Sequence, residues 1–585
     1  MFSMFCTVDE TKQRNKEEFR LPVSYLDENV RHDIPPTVSS DLELTERQDQ
    51  TSSVYQTLFT PNHSLGKRNI QLWNKQFTSF IPFLRDSQTI LLQEQNYQDH
   101  NVERIDRILQ HWSNLTDDNS DILSKYGYME WTWFQQLNES PVYLQTISMS
   151  QLISPALTLL LPIIILFFPF VLLKMKGIDI SVETYVQTLK WVAQNHFFGK
   201  LLNVASAEFS MHNLIYAILT TCMFFYSLYS NVILCQHFYH NMKQLNNDLV
   251  DLQMYLQTTI DNMNSFVDNN TDKTTFREFN QTTLKHCRRL REFAATLTPL
   301  KEFSVSIEKL MSLGTMLKIY YQIYNNRELQ ESIEYSFGFE GYLDNLRGVK
   351  QQLAAKRIVA AEFCETSNNS VFRDQSYPLI PDGTIAVKNT VNMKKNIILT
   401  GPNASGKTTI LKTTLINIVV SQQVGAGFYT SARFRPYTHV HSYLNIPDSS
   451  GRDSLFQAES RRCKEILEQV EQGEPNHHHF CIFDELYSGT NYKEATQAAI
   501  SFLNYMTKFK HVDFILTTHY RKICKKSPRI DNYKMDVIEH CNDTEPKVKH
   551  LEYTFKMKRG ISRVEGGIQI LREMNYPDEI LRSIQ

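Results

Sequence analysis

Along the N-terminal part of the chain, apolar residues recur at helical spacing. "SVYQTLF" and "NIQLWNKQFTSFIPFLRD" set them three and four apart, and the turn "TPNHSLGK" separates the two runs. This pattern predicts a helical segment over residues 41–150, mostly polar helix and loop beyond residue 100. Residues 1–40 are polar and end in the break "DIPP" (Asp33 to Pro36), which reads as a loosely ordered leader. After Cys235 come long helical runs, among them "MKQLNNDLVDLQMYLQTTIDNMNSFV" and "FREFNQTTLKHCRRLREFAATL". Few glycines or prolines interrupt them, so residues 241–370 are expected to form an all-α lever or core. From about Val371 short β-rich runs alternate with helices, the pattern of an α/β domain over 371–585.

One region departs from this amphipathic rhythm. No Asp, Glu, Lys or Arg occurs between Glu139 and Lys174, nor between Glu208 and Lys243. A membrane span needs ~20 apolar residues to cross ~30 Å of hydrocarbon. "PALTLLLPIIILFFPFVLL" (Pro155–Leu173) is just long enough, and "NLIYAILTTCMFFYSLYSNVILC" (Asn213–Cys235) is less apolar. Pro155, Pro162 and Pro169 would damage a soluble helix more than a membrane one. Residues 151–240 are therefore expected to be an apolar two-helix hairpin crossing a membrane, with the C-terminal domain on the cytosolic side. Lys174, Lys176, Lys190 and Lys200 in the connecting loop run against the positive-inside tendency. A re-entrant or interfacial hairpin, or two buried core helices, are the alternatives.

Composition narrows the picture. A chain of 585 residues calls for three or four structural units, and a net charge of −2 excludes a polybasic nucleic-acid coat protein. Nine cysteines without a CxxC pair suggest reduced thiols instead of a disulfide framework. The N-terminus lacks the pattern of a signal peptide.

The chemistry concentrates in the α/β region. "NIILTGPNASGKTTILKTTL" reads as strand, glycine-bounded loop and helix. Gly401, Pro402, Asn403, Ala404, Ser405, Gly406, Lys407, Thr408 and Thr409 would hold ATP. The loop N–H groups wrap the phosphates, Lys407 meets the β- and γ-phosphates, and Thr408 offers a hydroxyl to Mg²⁺. In "HHHFCIFDELYSGTN" an apolar strand from Phe480 to Phe483 delivers Asp484, a Mg²⁺ ligand, and Glu485, a general base for the attacking water. The adjacent His477, His478 and His479 point to different faces and lack spaced partners, so they read as a surface loop. The strand Val512–Leu516 ends in "TTH", where His519 reaches toward the γ-phosphate.

The order of these blocks resembles the MutS family of ATPases: "TGPNASGKTT", "GRDSLFQAESRRCKEIL", "FDELYSGTN", "TTHY" and "GISRVEGGIQILREMNYPDEIL". The resemblance implies a P-loop NTPase domain of ABC/MutS type and a dimer in which Ser454 reaches the partner's γ-phosphate. It also puts Gly489 and Thr490 at that dimer interface, and matches Ser562 and Gly566–Gly567 in the helical tail. Residues 41–98 and 316–348 look like pieces of the family's helical core. The chain starts almost directly in the family's helical core, so neither the separate domain that carries the Phe-x-Glu mismatch wedge nor a nuclease-like tail is expected, and the apolar hairpin interrupts the region expected to form a DNA clamp. Where family members place an aromatic ring for adenine, "TIAVKN" offers Ile385, Ala386 and Val387, so stacking is aliphatic or comes from elsewhere.

Three basic runs, "KHCRRLR" (Lys285–Arg291), "RKICKKSPR" (Arg521–Arg529) and "KMKRG" (Lys556–Gly560), could touch DNA phosphates or anionic lipid, or could be solvated faces. The expected function is a dimeric MutS-like ATPase coupled to DNA binding at a membrane. A membrane-tethering or remodelling ATPase without nucleic acid is the second reading. A mismatch-repair protein whose recognition is supplied by a partner is the third.

Overall fold

The computed structural model describes residues 18–580 except 48, 50, 95–96, 117–121, 178–180, 182, 188–210, 366–368, 381–383, 445, 447–453, 475–476, 525–527, 543–544, 565–570, 572–573, 575 and 578. The described chain divides into two compact units: one of residues 1–98, 261–287 and 334–585, the other of residues 99–260 and 288–333.

The first unit is built on a six-stranded sheet. Its strands are β7 (Asn396–Thr400), β10 (His439–Tyr443), β11 (His479–Asp484), β12 (Val512–Thr518), β13 (Ile530–Asn542) and β14 (Glu545–Arg559), in the order β10-β11-β12-β7-β13-β14. The first five run parallel and β14 closes the edge antiparallel to β13. β7 and β11 read as unbroken apolar runs because both their faces are covered. Smaller sheets flank this one. Strands β1 (Arg31–Asp33) and β2 (Gln76–Thr78) pair antiparallel, as do β3 (Val359–Ala360) and β8 (Ala426–Gly427). Strands β4 (Glu362–Phe363), β5 (Val371–Gln375), β6 (Asn389–Asn392) and β9 (Ser431–Phe434) form a sheet in the order β4-β9-β5-β6.

The helix Lys407–Val424 runs through the centre of this unit, and from Thr413 onward its polar side chains are buried as thoroughly as its apolar ones. Its amides Asn417, Gln422 and Gln423 all have partners, as burial demands. Gln422 Nε2 donates to the carbonyls of Thr78 and Tyr437 at 2.9 and 2.7 Å, and its Oε1 accepts from the Tyr437 N–H at 2.8 Å. Gln423 donates to the carbonyls of Trp73 and Gln76 and accepts from the Tyr55 hydroxyl at 3.0 Å. Residues far upstream are thereby stitched to the α/β sheet. The expected loose leader is instead packed from Phe19 onward, with Phe19, Leu21 and Val23 buried. "DIPP" starts a helix, Pro36–Leu42, because proline suits a first turn whose N–H has no partner anyway. The expected lever over 241–370 is likewise divided, since residues 261–287 and 334–370 belong to the unit that carries the sheet.

The second unit is helical. Helices Pro141–Met175 and Met211–Asn269 run antiparallel: Asn231 donates to Thr158 at 2.8 Å and Cys235 Sγ approaches the Leu152 carbonyl at 3.5 Å. Gly314 lets the helix Leu313–Asn325 press onto Pro141–Met175, where an added Cβ would lie 2.1 Å from the Pro141 carbonyl oxygen. Asp251 joins the helix Val102–Thr116 through Arg104 and Arg107 at 3.1 and 2.8 Å. Among the described residues, one stretch, Ile218–Asn269, is long and apolar enough to cross a membrane, and none of its apolar window is buried.

Candidate nucleotide site

Strand β7 ends at Thr400, the chain turns through Gly401–Gly406, and the helix begins at Lys407 as the sequence predicts. Two residues of the turn lie in the left-handed region, Ala404 at φ 59° and Gly406 at φ 90°. Such turns aim successive N–H groups into one concavity that suits an anion. Gly401 is needed for space, since a Cβ there would sit 2.9 Å from the Met535 side chain.

Lys407 is 5% exposed. Its Nζ donates to the carbonyls of Gly401 and Pro402, both at 3.1 Å, so the loop folds around its own cation. Burial pulls the lysine below its ordinary range, and the carboxylates of Glu485 and Asp484 oppose that shift.

The parallel register brings the acidic residues to the same sheet edge: Asp484 ends β11 opposite Thr517 on β12, and Thr518 lies opposite Thr400 on β7. Thr408 donates to Asp484 Oδ2 at 2.7 Å, and Thr517 donates to Asp484 Oδ1. Glu485 follows in a left-handed conformation, φ 52°, which turns its side chain back over the loop. Its Oε1 lies 2.7 Å from His519 Nε2 and 3.8 Å from Lys407 Nζ. The His519 hydrogen bond first, and then the charges of His519 and Lys407, hold Glu485 below the usual carboxylate range against its desolvation. His519 Nε2 also lies 3.2 Å from Lys407 Nζ. One ring nitrogen cannot both accept from Lys407 and donate to Glu485, so the tautomer chooses between them. A cavity of about 390 Å³ opens beside the loop, between Gly401–Asn403 and the side formed by Thr518, His519 and Arg521.

These residues fit Mg²⁺ and a triphosphate. The Thr408 hydroxyl and Asp484 carboxylate meet as an oxygen pair, the ligand type a hard cation takes, beside a buried cation and a concave row of N–H groups.

Ser454 stands apart from this cluster as the N-cap of the helix Leu455–Glu471, where its hydroxyl accepts from the Gln457 N–H at 3.4 Å in a capping box. The same helix carries a residue the motif reading missed. Glu459, 2% exposed, accepts from the Ser488 N–H and hydroxyl at 2.9 and 2.8 Å and from the Gly489 N–H at 3.1 Å. It thereby ties the Ser454 helix to the turn after β11. A signal for it existed: Glu459, Cys463, Ile466 and Val470 share one buried stripe, so the glutamate is the charged member of an apolar face. A Cβ on Gly489 would lie 2.8 Å from Leu455 Cγ, and Thr490 bonds to Glu494 at 3.0 Å. The Ser562 N–H donates to Thr400 at 2.8 Å, while Gly566 and Gly567 lie outside the described residues.

A second missed residue is Phe555. Its ring edge lies 3.2 Å from where a Gly406 Cβ would stand, and Asn389 Nδ2 donates to its carbonyl at 2.9 Å. Ile385 is 90% exposed. The β13–β14 hairpin that brings Phe555 to the loop leaves no mark near the loop in sequence.

The three histidines at the start of β11, His477 to His479, also differ from expectation. His478 does turn away, stacking on Tyr437 at 4.2 Å, but His477 and His479 share a face with His439 of β10. A spaced partner therefore exists.

Residues 397–585 match the family model described as MutS domain V. An Endonuclease MutS2 of Lactococcus lactis subsp. cremoris is 25% identical over 266 residues, covering 44% of this chain and 33% of that protein. DNA mismatch repair protein Msh3 of Dictyostelium discoideum is 27% identical over 211 residues, covering 33% and 14%. DNA mismatch repair protein MutS of Acholeplasma laidlawii is 24% identical over 212 residues, covering 35% and 24%. The chain spans a third or less of the length of these relatives.

Proposed function

From the match of residues 397–585 to MutS domain V and the similarity to MutS2 and Msh3 proteins, we propose that this chain is a MutS-family protein that binds and hydrolyses ATP with Mg²⁺ in a dimer, coupled to DNA binding at a membrane. The observation that carries the ATPase reading is the convergence of Thr408, Asp484, Glu485, His519 and Lys407 on one sheet edge. When bound, Mg²⁺ would supply neutralisation of the triphosphate's negative charge. Lys407 leaves its carbonyl partners and donates to phosphate oxygens. The Thr408 hydroxyl and Asp484 carboxylate hold the cation. Glu485, kept ionised by His519 and Lys407, orients the attacking water and accepts its proton. Phe555 offers the aromatic face for the base that the segment around Ile385 lacks. Ser454 of the partner subunit completes the site, and Glu459 would pass the movement of that helix to the turn after β11.

The membrane part of the proposal rests on the second unit. Leu219, Phe225, Tyr226 and Tyr229 are all more than half exposed, an arrangement water penalises and lipid does not. Trp131 and Trp133 near the start of the same hairpin are 71% and 91% exposed, as interfacial aromatic anchors are. The DNA part is weaker on the surface chemistry, because the basic runs are partly committed. In "KHCRRLR" Cys287 and Leu290 are buried and Arg289 pairs with Glu328 at 2.9 Å. Lys556 donates to the Lys388 carbonyl and Lys558 pairs with Asp536. A tethering or remodelling ATPase that does not hold nucleic acid is thus the second reading.

The deciding experiment titrates detergent-solubilised Glu485→Gln protein, loaded with ATP, against paired, mispaired and branched DNA over a salt series. Tight binding that falls steeply with salt supports the DNA reading. A preference for mispairs points to repair. ATP retained with no DNA binding moves the assignment to the tethering ATPase.

A further inference from the structure

The end of the sheet opposite the phosphate loop carries a second concentration of chemistry. β11 starts at His479 and ends at Asp484, so the two ends of one six-residue strand lie ~17 Å apart. His479 pairs in register with His439, the first residue of β10. Their rings stack at 4.5 Å, and His477, two residues before His479, brings its ring 4.7 Å from that of His439. One ring nitrogen from each of the three lies within 4.8 Å of the others.

The hydrogen bonds around these rings fix which nitrogen is free. The Thr438 hydroxyl accepts from the His478 N–H at 2.9 Å and faces the His478 carbonyl at 3.2 Å as its acceptor. With its proton so used, it accepts from His439 Nδ1 at 2.9 Å, leaving a lone pair on His439 Nε2. His479 Nδ1 is engaged with His441 Nε2 at 3.0 Å. His479 Nε2 is then a buried nitrogen with no hydrogen-bond partner, on a side chain that is 0% exposed. The space in front of that atom is kept by a glycine, since a Cβ on Gly473 would stand 3.0 Å from it. His477 is the adjustable member: half-buried, it accepts weakly from the Glu474 N–H at 3.2 Å. That contact opens when the ring turns inward.

We propose that His439, His477 and His479 form a binding site for a divalent first-row transition metal, zinc by ligand type, with water in the fourth position. Three imidazoles around one ion suit Zn²⁺, and a tetrahedral ion with nitrogens at ~2.0–2.1 Å needs them only ~3.3 Å apart. Side-chain rotation closes that gap. The second sphere is already built: the Thr438 hydroxyl orients His439, and His441 orients His479, as partners of metal-bound imidazoles do. The ion fastens the segment before β11 to the edge strand β10. It is separate from the Mg²⁺ chemistry at Asp484 and uses none of its residues.

The test uses the full chain without a histidine tag, solubilised in detergent, stripped with a chelator and free of nucleotide. Co²⁺ is titrated and the visible d–d bands are followed. Zn²⁺ affinity is then measured by competition with a chromophoric chelator. The expected result is one equivalent of Co²⁺ with tetrahedral bands, displaced by Zn²⁺. His477→Gln should weaken Zn²⁺ by on the order of tenfold to a hundredfold, and His439→Gln with His477→Gln should abolish the bands. Asp484→Asn should leave them intact. Because His477 is half-exposed, its variant folds even where a change at His479 does not. Bands that survive in the double histidine variant, or that vanish in Asp484→Asn, would overturn the proposal, as would wild-type protein binding no Co²⁺.

Discussion

Two helices of this chain carry no amphipathic stripe that would mark a core face and a water face, and they end in opposite surroundings. The helix Lys407–Val424 is enclosed on all sides, with Leu411, Leu415, Ile416, Ile418 and Val419 inaccessible. The apolar part of Met211–Asn269 is bare, with Ile218, Leu219 and Phe225 all more than half exposed. A helix with no separate polar face to turn toward water belongs either in a protein core or in lipid. What separates these two is the fate of their polar residues. Gln422, Gln423 and Asn417 of the enclosed helix bond to backbone groups of distant segments, which only an assembled fold can offer. The polar residues of the bare helix that are described include Asn231, which reaches only its neighbour Thr158.

Charge insertion gives the largest contrast. Ile418→Lys should bury an unpaired ammonium and cost more than ~4 kcal/mol, so that the protein is recovered as aggregate. Phe225→Lys should leave thermal unfolding and ATP binding unchanged while lowering the fraction that floats with liposomes. If Phe225→Lys instead unfolds the protein, the bare helix has a protein partner and the membrane proposal fails.

Catalysis at the start of the enclosed helix comes next. Lys407→Ala should abolish nucleotide binding. Glu485→Gln should hold ATP while turnover falls by roughly 10²–10⁴-fold, measured as phosphate release. Normal turnover in Glu485→Gln would remove the general-base assignment.

Gln422→Leu sharpens the comparison from the polar side. It keeps the apolar volume but strands the carbonyl of Thr78 and both backbone groups of Tyr437. A loss of about 3 kcal/mol is expected, seen as an earlier urea transition in the protein's tryptophan fluorescence. A neutral result would mean that those hydrogen bonds do not hold the upstream segments to the sheet.

The smallest effect is a pH shift. Glu485 is held below its ordinary pKa of 4.5, so its carboxylate is charged across the neutral range, and the base function proposed for it should be lost only as pH falls through that depressed value. His519→Ala removes the donor that is the largest cause of the depression. The acid limb of the turnover profile should therefore move to higher pH, and an unmoved limb would show that Lys407 alone keeps Glu485 ionised.

Much of the site was legible from the chain alone because each of its parts is local. A glycine-bounded turn between a strand and a helix, an apolar strand ending in two acids, and a strand ending in "TTH" each announce themselves within a dozen residues. Glu459 and Phe555 were missed because their roles depend on which elements become neighbours. The histidines were misread for the same reason: His439 lies some forty residues before His479 and meets it only through the parallel register of β10 and β11. Residues 18–40 looked like a leader because polar, proline-interrupted sequence carries no periodicity, yet Phe19 packs against Tyr335 at 5.3 Å.

The sequence by itself determined the phosphate loop, the acidic strand end and the uncharged hairpin, since each follows from backbone sterics, charge or hydropathy over a short stretch. Only the tertiary structure decided that the chain returns to one unit from three separate segments, that Phe555 lies beside Gly406, and that three histidine rings converge. These are long-range pairings, fixed by register and by the need to satisfy buried polar groups, and no window of neighbouring residues contains that information.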